Sequence, residues 1–453
     1  MDSLAKGGRV VIGMVGLPAR GKSYIARKIA RYLNWQQIKC EVFNLGQYRR
    51  DLCGTKECTA DFFDPNNLEG VKAREQCAQL CLEDMIEFLT TGGGKVAVYD
   101  GTNTTVERRR MVRDAIKKSI PKCTVIWVES ICTDDKIIEN NIKSAKLSNP
   151  DYKGVDPDQA IKDFLERIEQ YKKKYEELSE ETDGEDCSFV KLYNVGKRVV
   201  VNNINGYLAS KVVSYLMNLH VNPHPIYLVK AGETQFLLEN RLGGDAPLTE
   251  NGKKYAKALN EFFKKEKSEG KITEGTKIFT STLQRTTQTA QAIDIGCKIH
   301  KMRILDELNY GVCEGFSLKE LEEKYPTELS ERKADKLRYR FLRGESYLDL
   351  IHRIEPVIFE IEKSKEPVIV VADTSVLRCF YAYFSKHEIQ DVPFLPVPLN
   401  TVVKLIPEAY FCYENLYEIN IESGEVKEQQ NPKSLETKRV PRTISHIFYR
   451  GKE

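Results

Sequence analysis

The segment Gly13-Met14-Val15-Gly16-Leu17-Pro18-Ala19-Arg20-Gly21-Lys22-Ser23 fills every fixed position of the pattern G-x-x-x-x-G-K-[ST]. Its flanks agree with it. Val10, Val11, Ile12, Met14 and Val15 read as a short buried strand, and beyond Ser23 the apolar residues Ile25, Ala26, Ile29, Ala30 and Leu33 recur at helical spacing. Strand, loop and helix in that order aim unpaired amides and the positive end of a helix dipole at an anion, while Gly16 and Gly21 let the backbone close around phosphate oxygens. In such a loop Leu17, Pro18, Ala19 and Arg20 supply the wrapping backbone. Lys22 reaches the β- and γ-phosphates of a nucleotide, and Ser23 offers its hydroxyl to Mg²⁺.

The following residues extend this pattern. Glu41 to Gly46 reads as a second strand with Arg49 and Arg50 just past its C-terminal end, where open α/β sheets hold their ligands and where guanidinium forks suit phosphate. A helix from about Leu68 to Leu89 carries Arg74. Lys95 to Asp100 is an apolar strand ending in a carboxylate that can stand near Mg²⁺ or an acceptor hydroxyl. Gly101-Thr102-Asn103-Thr104-Thr105 opens a helix bearing Arg108, Arg109 and Arg110, a polar entrance beside a basic cluster that would suit a phosphate-bearing acceptor. Thr124 to Val128 is a further strand, and the helix after it holds Asn141 and Lys146. A long helix from Pro157 to about Leu178 puts Arg167 and Tyr171 on one face, and the acidic run Glu176 to Asp186 reads as a solvated end and loop. The alternation implies a mostly parallel, doubly wound α/β sheet. The guanine-reading pattern N-K-x-D is absent, which favours a small-molecule kinase over a switch GTPase.

The chain of 453 residues is long enough for two or three domains, with 41% hydrophobic and 30% charged residues excluding a disordered or collagenous class. A net charge of +3 gives no warrant for nucleic acid or membrane as a partner, so an anionic substrate must be held by local clusters. Met1 to Gly8 has no apolar signal core, and no apolar run reaches the ~18 residues that suggest a membrane span, so a soluble cytoplasmic protein is expected. Twelve cysteines lie scattered with no CxxC pair or zinc-like spacing and read mostly as small buried hydrophobes.

The runs Gly16 to Ser23, Phe43-Asn44-Leu45-Gly46-Gln47-Tyr48-Arg49-Arg50, Asp100 to Thr105 and Glu129-Ser130-Ile131-Cys132 closely resemble the 6-phosphofructo-2-kinase/fructose-2,6-bisphosphatase family, from about residue 8 to about residue 425. The resemblance implies a homodimer. Its N-terminal kinase would make fructose 2,6-bisphosphate from ATP and fructose 6-phosphate with Mg²⁺, and its C-terminal half would have the phosphoglycerate-mutase-like fold of histidine phosphatases. It further implies that Lys22, Ser23, Asp100 and Cys132 lie in the reaction pocket and that Asn141 borders the nucleotide, with Lys146 steadying the transferring phosphoryl. By the same resemblance Arg49, Arg50, Arg74, Thr102, Arg108, Lys146, Arg167 and Tyr171 hold the sugar phosphate. Gly101 stands where the family usually has alanine and Val106 where it has arginine; neither change removes an assigned phosphate ligand.

Asn222-Pro223-His224-Pro225 reads as a linker, dividing a kinase domain over 1–221 from a phosphatase-like domain over 222–425, with a basic tail without regular pattern over 426–453. The first strand of the second domain, Ile226 to Val229, ends in the family in Arg-His-Gly-Glu. Here it ends in Lys230-Ala231-Gly232-Glu233, and a methyl group cannot accept a phosphoryl. A second family histidine, after Val368 to Ala372, is replaced by Asp373, a carboxylate that repels a phosphorylated sugar. Thr374 stands for a glutamine, Leu237 for an asparagine and Asn400 for another histidine. Arg285, Glu307, Arg332, Lys336, Tyr347 and Arg378 match retained family positions, so the domain is expected to fold but not to hydrolyse. A weak residual bisphosphatase, a non-catalytic metabolite sensor and a kinase for another phosphorylated substrate are the rival readings. Thr443 and Ser445, beside arginines of the tail, are candidate phosphorylation sites.

Overall fold

Val10–Val15 (β1) is buried at all six positions, the signature of a strand covered on both faces by crossover helices. The computed structural model describes residues 8–54, 60–64, 66–148, 156–194, 196–219, 223–408 and 412–431. It separates into two compact units, Met1–Val221 and Asn222–Glu453.

In the first unit β1 is followed by α1 (Lys22–Trp35), β2 (Cys40–Asn44), α2 (Leu45–Cys53), α3 (Leu68–Thr90), β3 (Val96–Asp100), α4 (Val106–Ser119), β4 (Thr124–Ile131), α5 (Asp135–Ser148) and α6 (Pro157–Lys172), with β5 (Ser188–Tyr193) and β6 (Arg198–Asn202) closing the sheet. The strand order is β2-β3-β1-β4-β5-β6, parallel except for the β5–β6 pair. Val11, Val15, Ala97 and Tyr99 of the sheet pack with Cys81, Leu82 and Met85 of α3 and with Val112 and Ile116 of α4. A smaller cluster of Ile142, Ala160, Phe164 and Ile168 joins α5 to α6 and includes Ala19 of the glycine-rich loop.

Two expectations are corrected here. The helix expected to run to Leu178 stops at Lys172, because the chain beyond it turns inward. There the Tyr175 hydroxyl and the Leu178 amide both donate to Glu129 Oε1, at 2.6 and 3.2 Å. Most acidic residues of the run after it are exposed, as a solvated segment would be, but one is not. Asp183 is buried, and Arg109 of α4, itself buried, grips it with Nε and Nη2 at 2.6 and 2.7 Å while Nη1 donates to the Glu176 carbonyl. Arg109 therefore ties a chain segment to the core and is not available to a phosphate. Removing one partner of such a pair strands a buried charge, at a cost of about 3–5 kcal/mol. Arg109→Leu is expected to lower the melting transition of the kinase unit in calorimetry, and Arg109→Leu combined with Asp183→Leu to recover much of the loss. Equal melting of the single and double variants would refute this role.

The second unit is built on β7 (Ile226–Lys230), β8 (Lys277–Thr280), β9 (Ile299–Lys301), β10 (Val368–Ala372), β11 (Thr401–Pro407), β12 (Cys412–Ile419) and β13 (Val426–Asn431). Their order is β13-β12-β11-β7-β10-β8-β9. The strands from β7 to β9 run parallel, and β11 to β13 add antiparallel neighbours at one edge. Residues 426–431, expected to lack regular structure, thus form an edge strand; its sequence, Val-Lys-Glu-Gln-Gln-Asn, carries no apolar alternation. Thr443 and Ser445 lie outside the described residues. The eleven described cysteines form no disulfide with one another and most are buried, in keeping with a packing role. Among the described residues no helix is long and apolar enough to cross a membrane.

Candidate active sites

The loop between β1 and α1 has the geometry that its glycines allow. Gly16 has φ +129°, and a Cβ there would lie 2.6 Å from the Ser130 carbonyl oxygen, so only glycine lets the loop pass so close to β4. The Gly16 amide donates to the Thr102 carbonyl at 2.9 Å, Ser130 Oγ donates to the Arg20 carbonyl at 2.5 Å, and Asn141 Nδ2 donates to the Ala19 carbonyl at 2.9 Å. The loop is thus tied to the segment after β3, to β4 and to α5. The N-terminus of α1 has no side-chain cap and no acidic residue in its first turn, which leaves its amides and dipole to an anion.

Lys22, the first residue of α1, is buried and donates to the Leu17 carbonyl at 2.6 Å. Asp100, at the end of β3, is buried beside it, hydrogen-bonded to Ser23 and to Asn44 Nδ2. Burial pushes the Lys22 ammonium down to about 7, with the Asp100 charge opposing and the Arg20 and Arg167 charges adding to the fall. Burial likewise pushes the Asp100 carboxyl up, against its hydrogen bonds from Ser23 and Asn44 and the Lys22 charge. A lysine with its pKa lowered to about 7 is mostly neutral at pH 8, and a bound polyphosphate restores the ammonium. Nucleotide binding is therefore expected to take up close to one proton per chain at pH 8 and little at pH 6. Calorimetric titration in buffers of different ionisation heats measures this, and uptake independent of pH would refute it.

Asn44 does two jobs that its sequence position does not announce. Its Oδ1 accepts from the Gln47 amide at 3.0 Å as the N-cap of α2, while its amide fixes Asp100. The donor set also fits a magnesium ion: the Ser23 hydroxyl and the Asp100 carboxylate are hard oxygen ligands already hydrogen-bonded to each other. Cys132, just past β4, is buried, with Sγ 3.8 Å from the Asp134 carbonyl. The Lys146 side chain lies outside the described residues.

Several of the sugar-phosphate candidates converge on Phe63. Its ring lies 3.8 Å from the Arg167 guanidinium, 5.2 Å from that of Arg49 and 6.0 Å from that of Arg74, with the Tyr171 ring 5.9 Å away. Three guanidinium groups from three helices gather around one ring, and Arg167 Nε is buried without a hydrogen-bond partner, an arrangement suited to an anion. Burial and the Arg167 charge push Arg74 down, with the Tyr171 hydroxyl opposing. Arg167 also acts on Lys22, so this cluster lies within electrostatic reach of the glycine-rich loop. Arg50 and Arg108 engage closer neighbours: Arg50 donates to Gln47 Oε1 at 3.0 Å and Arg108 to the Tyr99 hydroxyl at 3.2 Å. Both arginines lie on helices, Arg50 within α2 and Arg108 within α4. Phe63 carried no motif, and only its place before α3 could have drawn attention to it.

In the second unit Lys230 and Ala372 are register partners at the ends of β7 and β10, so Ala231 and Asp373 emerge side by side. The Ala231 amide donates to the Ala372 carbonyl at 3.1 Å. Arg285, on the helix Gln284–Gln291, donates from Nε to Asp373 Oδ1 at 2.6 Å and from Nη1 to the Gly244 carbonyl at 2.8 Å. Desolvation and the Asp373 charge push the Glu307 carboxyl up; its Oε2 accepts from the Ser375 amide at 3.2 Å. Arg378 donates to the Tyr347 hydroxyl and to the Leu395 carbonyl, and Lys336 to the Pro393 carbonyl. Arg332 lies with its guanidinium 5.9 Å from the Phe341 ring.

Known proteins match both units. A 6-phosphofructo-2-kinase family model matches residues 2–223 and one for the histidine phosphatase superfamily (branch 1) matches residues 226–415. A 6-phosphofructo-2-kinase/fructose-2,6-bisphosphatase of Caenorhabditis elegans is 43% identical over 420 residues, 92% of this chain and 90% of its own length. A human protein named 6-phosphofructo-2-kinase/fructose-2,6-bisphosphatase 4 is 42% identical over 431 residues, 95% of this chain and 89% of its own. With both halves matched in order and the glycine-rich loop and arginine cluster in place, the chain belongs to the 6-phosphofructo-2-kinase/fructose-2,6-bisphosphatase family.

Proposed function

We propose that this protein is a one-way 6-phosphofructo-2-kinase: it makes fructose 2,6-bisphosphate from MgATP and fructose 6-phosphate and does not hydrolyse it. The kinase reading rests on Lys22, Ser23 and Asp100 meeting at the mouth of an uncapped helix, with Arg167 of the Phe63 cluster within electrostatic reach of the same lysine. Phosphoryl transfer needs positioning and charge stabilisation more than covalent help. The loop amides and Lys22 hold the nucleotide phosphates, Asn141 braces the loop, and Arg49, Arg74 and Arg167 with Tyr171 hold the acceptor's 6-phosphate. Ser23 and Asp100 would hold Mg²⁺, which when bound offsets charge on the β- and γ-phosphates.

The observation that carries the one-way reading is the pair of strand ends in the second unit. Ala231 offers no nucleophile, and beside it Asp373 takes the Arg285 guanidinium that a phosphoryl group would need. We further propose a kinase domain over 1–221 and an inactive phosphatase-like domain over 222–425, working as a cytoplasmic homodimer on the family's pattern. A paired assay tests the function: fructose 2,6-bisphosphate should form from MgATP and fructose 6-phosphate, and when supplied alone should persist without labelling the protein. Its disappearance in a Lys22→Ala variant would mean that the C-terminal site works without its histidines.

A further inference from the structure

We propose that Asp373 is an internal substitute for a bound phosphoryl group, so that the C-terminal pocket takes a phosphate monoester and rejects the corresponding bisphosphate. The proposal deepens the reading of that pocket as non-hydrolysing and rests on it.

The Asp373–Arg285 ion pair is 2.6 Å long, and the two side chains are 11% and 9% exposed. Asp373 caps no helix amide although it sits at the N-cap of the helix Thr374–Ser385, so its orientation is set by the arginine. Its second oxygen, Oδ2, is buried without a hydrogen-bond partner. Lys230 is near enough for the Asp373 charge to act on it. One carboxylate between a guanidinium and an ammonium thus fills the inner end of the pocket as a small anion would. A phosphoryl group entering there must break the ion pair, leave a buried carboxylate unpaired and then face its charge, and both costs act against binding.

The outer end is different. Lys336 bonds to a carbonyl and not to a carboxylate. Desolvation together with the Arg378 and Arg332 charges pushes its ammonium down to about 7. A desolvated ammonium beside two guanidinium groups is what an anion site looks like before its ligand arrives. The Tyr347 hydroxyl, fixed between Arg378 and Ser375, adds a polar contact at the same place. The Ser375 amide, two residues past Asp373, donates to Glu307 Oε2 at 3.2 Å, and Ser375 Oγ accepts from the Tyr347 hydroxyl that Arg378 holds, so the two ends meet around the first turn of one helix. The fold therefore keeps one phosphate position and blocks the other.

The test is calorimetric titration of the full-length protein with fructose 6-phosphate and with fructose 2,6-bisphosphate, compared with Lys336→Met so that sites in the kinase unit cancel. The monophosphate is expected to fill one more site per chain in the parent than in Lys336→Met. The bisphosphate is expected to bind that extra site at least tenfold more weakly, and Asp373→Asn to remove most of that difference. Amide hydrogen exchange in the parent supplies a reading that needs no variant: fructose 6-phosphate should slow exchange at the N-terminal end of the helix Thr374–Ser385. Equal stoichiometry in parent and Lys336→Met together with unchanged exchange would overturn the proposal, as would equal affinity for the two sugars at the extra site. Equal affinity without hydrolysis would overturn this proposal alone; turnover of the bisphosphate by the parent would overturn the one-way reading as well.

Discussion

Lys22→Met is expected to lower the rate of fructose 2,6-bisphosphate formation by roughly 10²–10³-fold, the usual loss when one preorganised donor to a transition-state charge is removed. Methionine keeps most of the volume, so α1 should remain packed through Ile25, Ala26 and Ile29, all of which are buried. Among the described residues the neighbouring cations are already engaged. Arg20 turns its Nη1 to the Pro18 carbonyl, and Arg167 is stacked on Phe63. Because the loop amides and the α1 dipole still meet the nucleotide, KM for ATP should rise far less than kcat falls. The variant should also lose the proton uptake on nucleotide binding at pH 8, since Lys22 is the group whose proton returns. Steady-state kinetics with the same titration check both. A variant that keeps near-parental kcat would place the phosphoryl-stabilising charge elsewhere in the pocket.

The region around Lys22 was legible in the sequence because its signals are local. G-x-x-x-x-G-K-S fixes a loop, the apolar run before it a buried strand, and the 3.6-residue recurrence after it a helix. Asp100 was legible for the same reason, standing at the end of an apolar strand. What sequence reading missed is held together across long separations. Arg109 and Asp183 are 74 residues apart, and nothing in the acidic composition of the run around Asp183 tells a buried clamp from a solvated loop. Phe63 gathers arginines from α2, α3 and α6, so no spacing marks it. Asn44 reads as an ordinary helix cap until its amide is seen on Asp100. In the second half the replaced histidine was visible as Asp373, but its capture of Arg285, 88 residues away, depends on the register that sets β7, β10 and the helix Gln284–Gln291 around one pocket.

That capture shapes the second large effect. Ala231→His combined with Asp373→His is expected to create fructose 2,6-bisphosphate hydrolysis at least about 10²-fold above the parent, through an acid-labile phosphoprotein. The geometry favours it. Ala231 and Asp373 leave adjacent parallel strands whose last paired residues are Lys230 and Ala372, so imidazoles at the two positions flank the place where a phosphoryl group sits. Histidine at 231 attacks phosphorus and the bond to the sugar O2 breaks. Glu307, whose carboxyl burial pushes up, is placed to give the leaving oxygen a proton. Water then attacks the phosphohistidine and releases phosphate. Ala231→His alone should remain near the parental level, because Asp373 still holds Arg285 and repels the incoming dianion. Labelled substrate, acid-labile protein label and free phosphate measured together separate the steps. Equal activity of Ala231→His and the double variant would show that the missing nucleophile, and not the Asp373–Arg285 pair, is the whole obstacle. Inactivity of a folded double variant would point instead to Lys230, whose single ammonium replaces a guanidinium fork and cannot hold two phosphoryl oxygens in one plane.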